Sequence, residues 1–260
     1  MKWVKEYMDI RYKKHLKNWD TVVGIVGAEG VSKSNLAMHK LDYWKTMTNG
    51  KCKESDVKHM NMTGEDFVND LSDAEKMDCP CFDEAGELDS RRAMSNFNVM
   101  LSQGYKVIRS DKLYTILVLP DIWDLEFRFV KRMKALFVVY RRGHVAVWLK
   151  ESLVKMAQLN SFRRVKSYWA VRPDFYDTFP IYKGPMAKKY EIKKEEKTKE
   201  ARKNLKELLN GDKKKVGVTP QDIAKNMQAL GYNNTDIAAS IMVDNSTVGK
   251  WFKKGRNGGK

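Results

Sequence analysis

Six residues, Thr21–Val26 (TVVGIV), offer no charged face and run straight into Gly27-Ala28-Glu29-Gly30-Val31-Ser32-Lys33-Ser34. A strand without a polar face belongs inside a sheet that is covered on both sides. The glycines after it permit a tight turn, and residues 34–47 then carry a helical pattern. Strand, glycine loop and helix in that order commit this part of the chain to an α/β layer structure. They also outline an anion cradle, because successive backbone N–H groups and a helix N-terminus can surround phosphate oxygens. Lys33 can reach the terminal phosphates of a nucleotide, and Ser34 can offer its hydroxyl to Mg²⁺. Gly27, Ala28, Glu29, Gly30, Val31, Ser32, Lys33 and Ser34 are therefore the candidate nucleotide-binding residues, with ATP and Mg²⁺ as the expected cofactors. Ser32 departs from the usual pattern, since it stands where a glycine precedes the lysine and its Cβ crowds the turn. The competing reading is an ordinary strand–loop–helix, or a degenerate loop without activity.

Alternation of strand and helix before residue 120 predicts a mostly parallel sheet with helices on both faces. Segments 57–62, 78–82 and 113–119 read as further strands, 64–76 as a polar helix or loop, and 91–103 and 122–132 as helices. Strands over 135–140 and 144–149 flank Arg141, Arg142 and Gly143 as a hairpin. Residues 1–19 predict an amphipathic helix, with Trp3, Tyr7, Ile10 and Lys14 near one stripe, packed on the main domain. That main domain spans 20–165. Residues 166–215 form a connection: an irregular arm with three prolines over 168–186, then a Lys- and Glu-rich stretch that fits an exposed helix or a flexible linker. Apolar periodicity returns over 216–260, which reads as a second, all-helical domain.

The run Cys79-Pro80-Cys81-Phe82-Asp83-Glu84 puts two carboxylates at the end of a short apolar strand. In a parallel sheet, the end of a neighbouring strand faces the loop that follows the first strand. Asp83 can there orient water on Mg²⁺, and Glu84 can polarise the attacking water of phosphoryl transfer. Alone, an Asp-Glu pair before Ala-Gly is equally an ordinary solvated turn. Taken with the 27–34 loop, Phe82-Asp83-Glu84-Ala85-Gly86-Glu87-Leu88 and the following Arg91-Arg92 resemble the additional-strand catalytic-glutamate class of P-loop ATPases, the RecA-like division. Within it, residues 20–150 resemble ATPases of archaeal and bacterial viruses and plasmids, which are related to HerA/FtsK DNA-pumping motors and zonula occludens toxin-like phage proteins. The resemblance implies a RecA-like fold, Mg²⁺-dependent ATP hydrolysis, and a homo-oligomer such as a hexameric ring with nucleotide between subunits. It also implies an arginine from a neighbouring subunit beside the transferring phosphoryl group. Arg91, Arg92, Arg109, Arg128 and Arg132 are the candidates, and Arg128 and Arg132 share one face of the helix expected there. In this class the strand after the acidic one often bears a polar sensor, and Thr115 and Asp121 lie nearest that position.

In the last segment, Thr219-Pro220-Gln221-Asp222 opens a helix with proline in its first turn. Ile223, Met227 and Leu230 form its stripe, and Gly231 stops it. Asn234 caps a second helix carrying Ile237, Ala238 and Ile241. Asn245 or Ser246 opens a third, with Val248, Trp251 and Phe252 toward the core. This pattern resembles helix-turn-helix domains of transposases, resolvases and regulators, which implies a third helix in the major groove. Asn245, Ser246 and Thr247 then meet bases, while Lys250, Lys253 and Lys254 neutralise phosphates. A small three-helix domain for protein contacts is the alternative.

The formal net charge of +16 favours an anionic partner, which DNA, RNA or an anionic membrane surface would satisfy, and double-stranded DNA is the expected one. Three cysteines, Cys52, Cys79 and Cys81, do not form the framework of a disulfide-stapled secreted domain. No pair of histidines at zinc-ligand spacing stands out. No apolar run approaches the ~18 residues of a membrane-spanning helix, so the expected place is the cytoplasm, that of a host if the chain is viral. Together these features predict an ATP-hydrolysing DNA motor or loader of a virus or mobile element. Two other readings stay open: a nucleotide-binding DNA switch with little hydrolysis, and a membrane-associated phage assembly or secretion ATPase.

Overall fold

The computed structural model describes residues 1–49, 60–83, 99, 102–104, 108–163, 166–209, 220–229, 232–240 and 243–253. Its strands are β1 (Thr21–Val26), β2 (Met60–Asn61), β3 (Cys81–Asp83), β4 (Tyr114–Leu119), β5 (Ala135–Arg141), β6 (His144–Leu149) and β7 (Phe175–Thr178). They form one sheet in the order β2-β3-β4-β1-β5-β6-β7. The first five in that order run parallel, and β6 and β7 add antiparallel strands at one edge. The architecture is mixed α/β around a mostly parallel sheet.

Every residue of β1 and β4 is buried, as their continuous apolar runs require. The two-residue period of a strand divides these side chains between two cores. Val23, Ile25, Ile116, Phe137 and Val145 meet α1 (Lys2–Leu16) and α2 (Lys33–Met47) on one face. Val22, Val26, Leu117, Leu136 and Trp148 meet α3 (Gly64–Asp73), α4 (Phe127–Val130) and α5 (Lys150–Arg163) on the other. The polar segment 64–76 resolves into α3 because Thr63 accepts the N–H of Asp66 at 3.0 Å, capping a first turn that carries Glu65 and Asp66.

Several sequence expectations change. The buried side of α1 is Val4, Tyr7, Met8, Arg11 and His15, whereas Trp3 and Ile10 are exposed. The true stripe contains two polar residues, which obscures it in a hydrophobicity pattern. The helix expected over 122–132 is a 3₁₀ turn at Ile122–Asp124 followed by the four-residue α4. Asp121 caps the turn and Leu125 is extended, so Arg128 and Arg132 share no helix face. The arm over 168–186 supplies β7, whose exposure alternates as on a half-covered edge. The Lys- and Glu-rich stretch forms α6 (Met186–Leu209), which reaches the core through Met186 and Tyr190. In the 57–62 segment Met60–Asn61 is strand and 57–59 lie outside the described residues, as does most of 91–103.

The chain divides into two compact units, Met1–Glu196 and Lys197–Lys260. The second contains α7 (Pro220–Ala229), α8 (Asn234–Ser240) and α9 (Asn245–Lys253) around Ala224, Ile237, Ala238 and Val248. Proline opens α7 as its sequence suggests. Ala224, not Ile223, faces the core, and Ile223 is exposed. The cap of α8 falls one residue earlier than expected, since Asn233 Oδ1 accepts the N–H groups of Thr235 and Asp236. No helix among the described residues is long and apolar enough to cross a membrane.

A polar chain ties α1 to the start of β1. Arg11 Nε donates to Thr21 Oγ1 at 2.9 Å, and His15 Nε2 lies 2.9 Å from the same oxygen. His15 Nδ1 lies 2.9 Å from the carbonyl of Lys112. A carbonyl only accepts, so Nδ1 carries the proton and Nε2 accepts from the Thr21 hydroxyl. Burial lowers the His15 pKa from 6.5 to about 4. The neutral ring therefore contributes stability that is complete above pH 6.5 and lost as pH falls through about 4. In denaturant titrations, the advantage of wild type over His15→Gln should shrink between those limits by on the order of 3 kcal/mol. Parallel stability curves across that window would contradict this.

Candidate functional site

The loop 27–34 leaves β1 at the end of the sheet where the parallel strands finish. Gly27 has φ +150°, and a Cβ there would strike the backbone carbonyl of Val139. Gly27 N–H donates to Pro120 O at 3.4 Å, which fixes the loop to the end of β4. Gly30 has φ +74° and Ser32 φ +77°. For serine this left-handed conformation costs roughly 1–2 kcal/mol, so the missing glycine appears as backbone strain rather than as a different turn. Ser32 is the N-cap of α2 and makes no side-chain capping bond. Lys33 folds back over the loop, with Nζ 2.5 Å from Gly27 O and 3.4 Å from Ala28 O.

Asp83 ends β3, and the strand period turns Cys81 and Asp83 toward the α2 face while Phe82 joins the opposite core. The acidic strand is not the neighbour of β1, contrary to the simplest reading of the sequence. β4 lies between them, with Asp83 paired to Val118 and Val118 paired to Ile25. The two strands are thus about 10 Å apart. The first turn of α2 spans that gap and brings Ser34 to Asp83. The Tyr190 hydroxyl stands between them, 2.8 Å from Asp83 Oδ2, to which it donates, and 2.9 Å from Ser34 Oγ. Asp83 is buried, and burial raises its pKa against the opposing effects of Tyr190, Ser34, Lys194 and Lys33. Burial and the Asp83 charge likewise push the Tyr190 phenol up.

The segment before α6 holds this arrangement in place. Tyr182 N–H donates to Asn35 Oδ1 at 3.0 Å, and His39 Nε2 lies 2.9 Å from the carbonyl of Pro180. Further along, Lys193 Nζ donates to Met60 O at 2.9 Å, laying α6 across the ends of β2 and β3. Tyr190 was not recognisable as a site residue, because it sits in a stretch that reads as linker. Its one sequence signal is its four-residue spacing from Met186 within an otherwise charged run. Arg142 was also missed. From the β5–β6 turn, its Nε donates to Gly30 O at 3.0 Å.

Other candidates are not brought to the loop. Arg128 is exposed and pairs with Glu126 at 2.6 Å. Arg128, Arg132 and the exposed Arg109 all precede the first residues of β4 or β5, at the opposite end of the sheet within this chain. Thr115 pairs with Val22 near the start of β4 and is buried with an unpartnered hydroxyl, so it lies away from the loop. Asp121 is at the correct end, but it accepts from Tyr168 Oη and from the Trp123 N–H. Glu84, Arg91, Arg92 and Lys254 lie outside the described residues, as does the side chain of Lys253. In α9, Asn245, Ser246 and Lys250 are exposed and Thr247 is half-buried.

Among the described residues no cluster of three or more His, Cys, Asp or Glu forms a metal cage. Mg²⁺ does not require one: it keeps several waters and takes one or two carboxylates together with substrate phosphates. A serine hydroxyl beside a buried carboxylate fits that demand. Comparison with known proteins adds no family, since no family model, no curated protein and no solved structure matches the chain.

Because the folded state raises the Asp83 pKa, ionising this group destabilises the fold as pH rises through the raised value. Asp83→Asn, which keeps an acceptor for Tyr190, should raise the melting temperature at neutral pH. The gain should fade as pH drops and the wild-type carboxyl becomes protonated. A lower melting temperature for the variant at neutral pH would show that Asp83 is compensated within the fold.

Proposed function

We propose that this chain is a Mg²⁺-dependent ATPase of RecA-like architecture that works on DNA, as a motor or loader of a virus or mobile element. The observation that carries the reading is the meeting of Ser34, next in sequence to Lys33, and Asp83 at the exit of a strained glycine loop. A lone Lys-Ser pair would be weak support. A lysine, a serine hydroxyl and a buried carboxylate converging from α2 and β3 suit the β- and γ-phosphates of a nucleotide and their metal. The strand order supports the same class, since one strand separates the glycine-loop strand from the acidic one.

In this reading the loop amides and the N-terminus of α2 hold the phosphates. Lys33 exchanges the carbonyls of Gly27 and Ala28 for phosphate oxygens. Ser34 would hold Mg²⁺ through its hydroxyl, and Asp83 would orient water on it. The bound metal supplies charge compensation on the phosphate oxygens. Glu84, next in sequence to Asp83, orients the attacking water. An arginine of a neighbouring subunit, drawn from Arg91, Arg92, Arg128 and Arg132, completes the site in an oligomer. The C-terminal helices hold double-stranded DNA through Asn245, Ser246, Thr247 and Lys250, with Lys253 and Lys254 on phosphates.

The left-handed Ser32 favours a second reading, in which the chain binds nucleotide but turns it over slowly and acts as a DNA-bound switch. Lys33→Ala should weaken ATP binding and abolish turnover. Glu84→Gln should keep ATP affinity within a few fold while lowering turnover by about 10²–10³-fold, the range for loss of a group that acts in the transition state. Wild type that binds Mg·ATP yet releases no phosphate with DNA present would replace the ATPase reading with the switch.

A further inference from the structure

The sheet end that carries the 27–34 loop also bears an aromatic surface that nucleotide chemistry does not use. Tyr140 lies near the end of β5, His144 opens β6, Tyr176 is in β7, and Trp169 sits in a 3₁₀ turn at Tyr168–Ala170. The Tyr140 ring lies 6.0 Å from Trp169, 6.2 Å from Tyr176 and 6.0 Å from His144. Strand register explains the grouping. Tyr176 pairs with Ala146, which shares a sheet face with Val138 and Trp148, and Tyr140 follows Val138 by one strand period. Buried Trp148 supports the group from below, 5.5 Å from Trp169, and is itself fixed by its Nε1 bond to Val171 O at 2.8 Å. Even so, Trp169, Tyr176 and Tyr140 remain 53%, 50% and 45% exposed. Three large rings held rigidly with about half their surface in water are an expensive arrangement without a partner.

The charge around them is mixed, with exposed arginines beside carboxylates that are hydrogen-bonded within the chain. Arg141, Arg142 and Arg172 are exposed beside this surface. The neighbouring carboxylates are already engaged within the chain. Asp174 accepts the Leu149 N–H and the Ser152 hydroxyl. Asp177 accepts the Val4 N–H and pairs with the Met1 amino group at 3.2 Å. Asp121 serves Tyr168 and Trp123. The groups still turned to solvent for a partner are the three rings with Arg141 and Arg172, and Arg142, whose Nε is held by Gly30 O, keeps its exposed guanidinium beside them.

We propose that this face binds single-stranded nucleic acid, with unpaired bases stacked on Tyr140, Trp169 and Tyr176 and backbone phosphates held by Arg141, Arg142 and Arg172. A duplex buries its base faces against each other and gives these rings nothing to stack on, whereas a single strand exposes them. A second copy of this chain also carries a net charge of +16, so its approach is opposed overall by like-charge repulsion, whereas a polyanion is attracted. The site is separate from the duplex contacts assigned to α9 and does not depend on ATP hydrolysis.

The test uses the full-length protein and a fluorescent oligothymidylate, with a hairpin duplex as comparison at the same salt. The double substitution Tyr140→Leu and Trp169→Leu, made on exposed positions, should weaken oligothymidylate binding about tenfold or more. Duplex affinity, Mg·ATP affinity and sedimentation should stay within about twofold. In wild type, oligothymidylate should quench tryptophan fluorescence, and Trp169→Phe should lose much of that quenching. This second measurement decides the matter if the double variant does not fold. Unchanged oligothymidylate affinity, an equal loss for duplex, or absent quenching would overturn the proposal. A variant that dissociates an oligomer while binding oligothymidylate normally would assign the surface to a subunit contact instead. Mg·ATP binding is read separately, so failure of the nucleotide site and failure of this surface give different results.

Discussion

The hydroxyl of Tyr190 joins three parts of the chain that are far apart in sequence. It bonds the last residue of β3 and the first turn of α2, and it belongs to a helix that begins more than a hundred residues after β3. Without this contact Asp83 would be a buried carboxylate with one fewer donor, and the raised pKa shows that burial already outweighs the donors it has. Nothing in hydrophobic packing calls for an acid there, since Cys81 and Phe82 in the same strand are fully buried apolar side chains and Asp83 is a buried charged one. The acid makes chemical sense in the proposed function, where a metal ion offsets the cost of its charge. Tyr190 then keeps Ser34 and Asp83 aligned, and it links events at the metal to α6.

The features legible in sequence are those set by neighbouring residues. β1, the glycine loop and α2 were readable because six unbroken apolar residues, two glycines and a helical repeat follow one another directly. β4, the β5–β6 hairpin and the three C-terminal helices were readable for the same reason. Asp83 was found because an acid at the end of an apolar strand is a local signal. Its partner was not, because the lone tyrosine that reaches it is embedded among lysines and glutamates that favour solvent. The stripe of α1 was misread because Arg11 and His15 are buried on it, an arrangement made possible only by Thr21 and the carbonyl of Lys112. The strand inserted between β1 and β3 is likewise a long-range fact that residue spacing does not reveal.

The face of the sheet under α1 and α2 departs from simple patterning in another place. Lys40 is fully buried, with Nζ 3.8 Å from the centre of the Phe137 ring and with Tyr7 and Tyr114 each at 5.6 Å. Burial lowers its pKa to about 7, so this lysine is only partly charged near neutral pH. The aromatic faces attract the remaining charge where Nζ has no hydrogen-bond partner. Asp83 and Lys40 on the same side of the sheet thus both strain against ionisation, yet of the two only Asp83 stands beside the first turn that follows the 27–34 loop.

The central claim is that Ser34 and Asp83 act on one metal ion. Calorimetric titration of ATP with and without Mg²⁺, on wild type, Ser34→Ala, Asp83→Asn and the double variant, tests it most directly. If they share the ion, each single change removes most of the Mg²⁺-dependent gain in affinity and the second adds little, a coupling of about 1 kcal/mol or more. Independent, additive losses, or an ATP affinity indifferent to Mg²⁺ in wild type, would contradict the account.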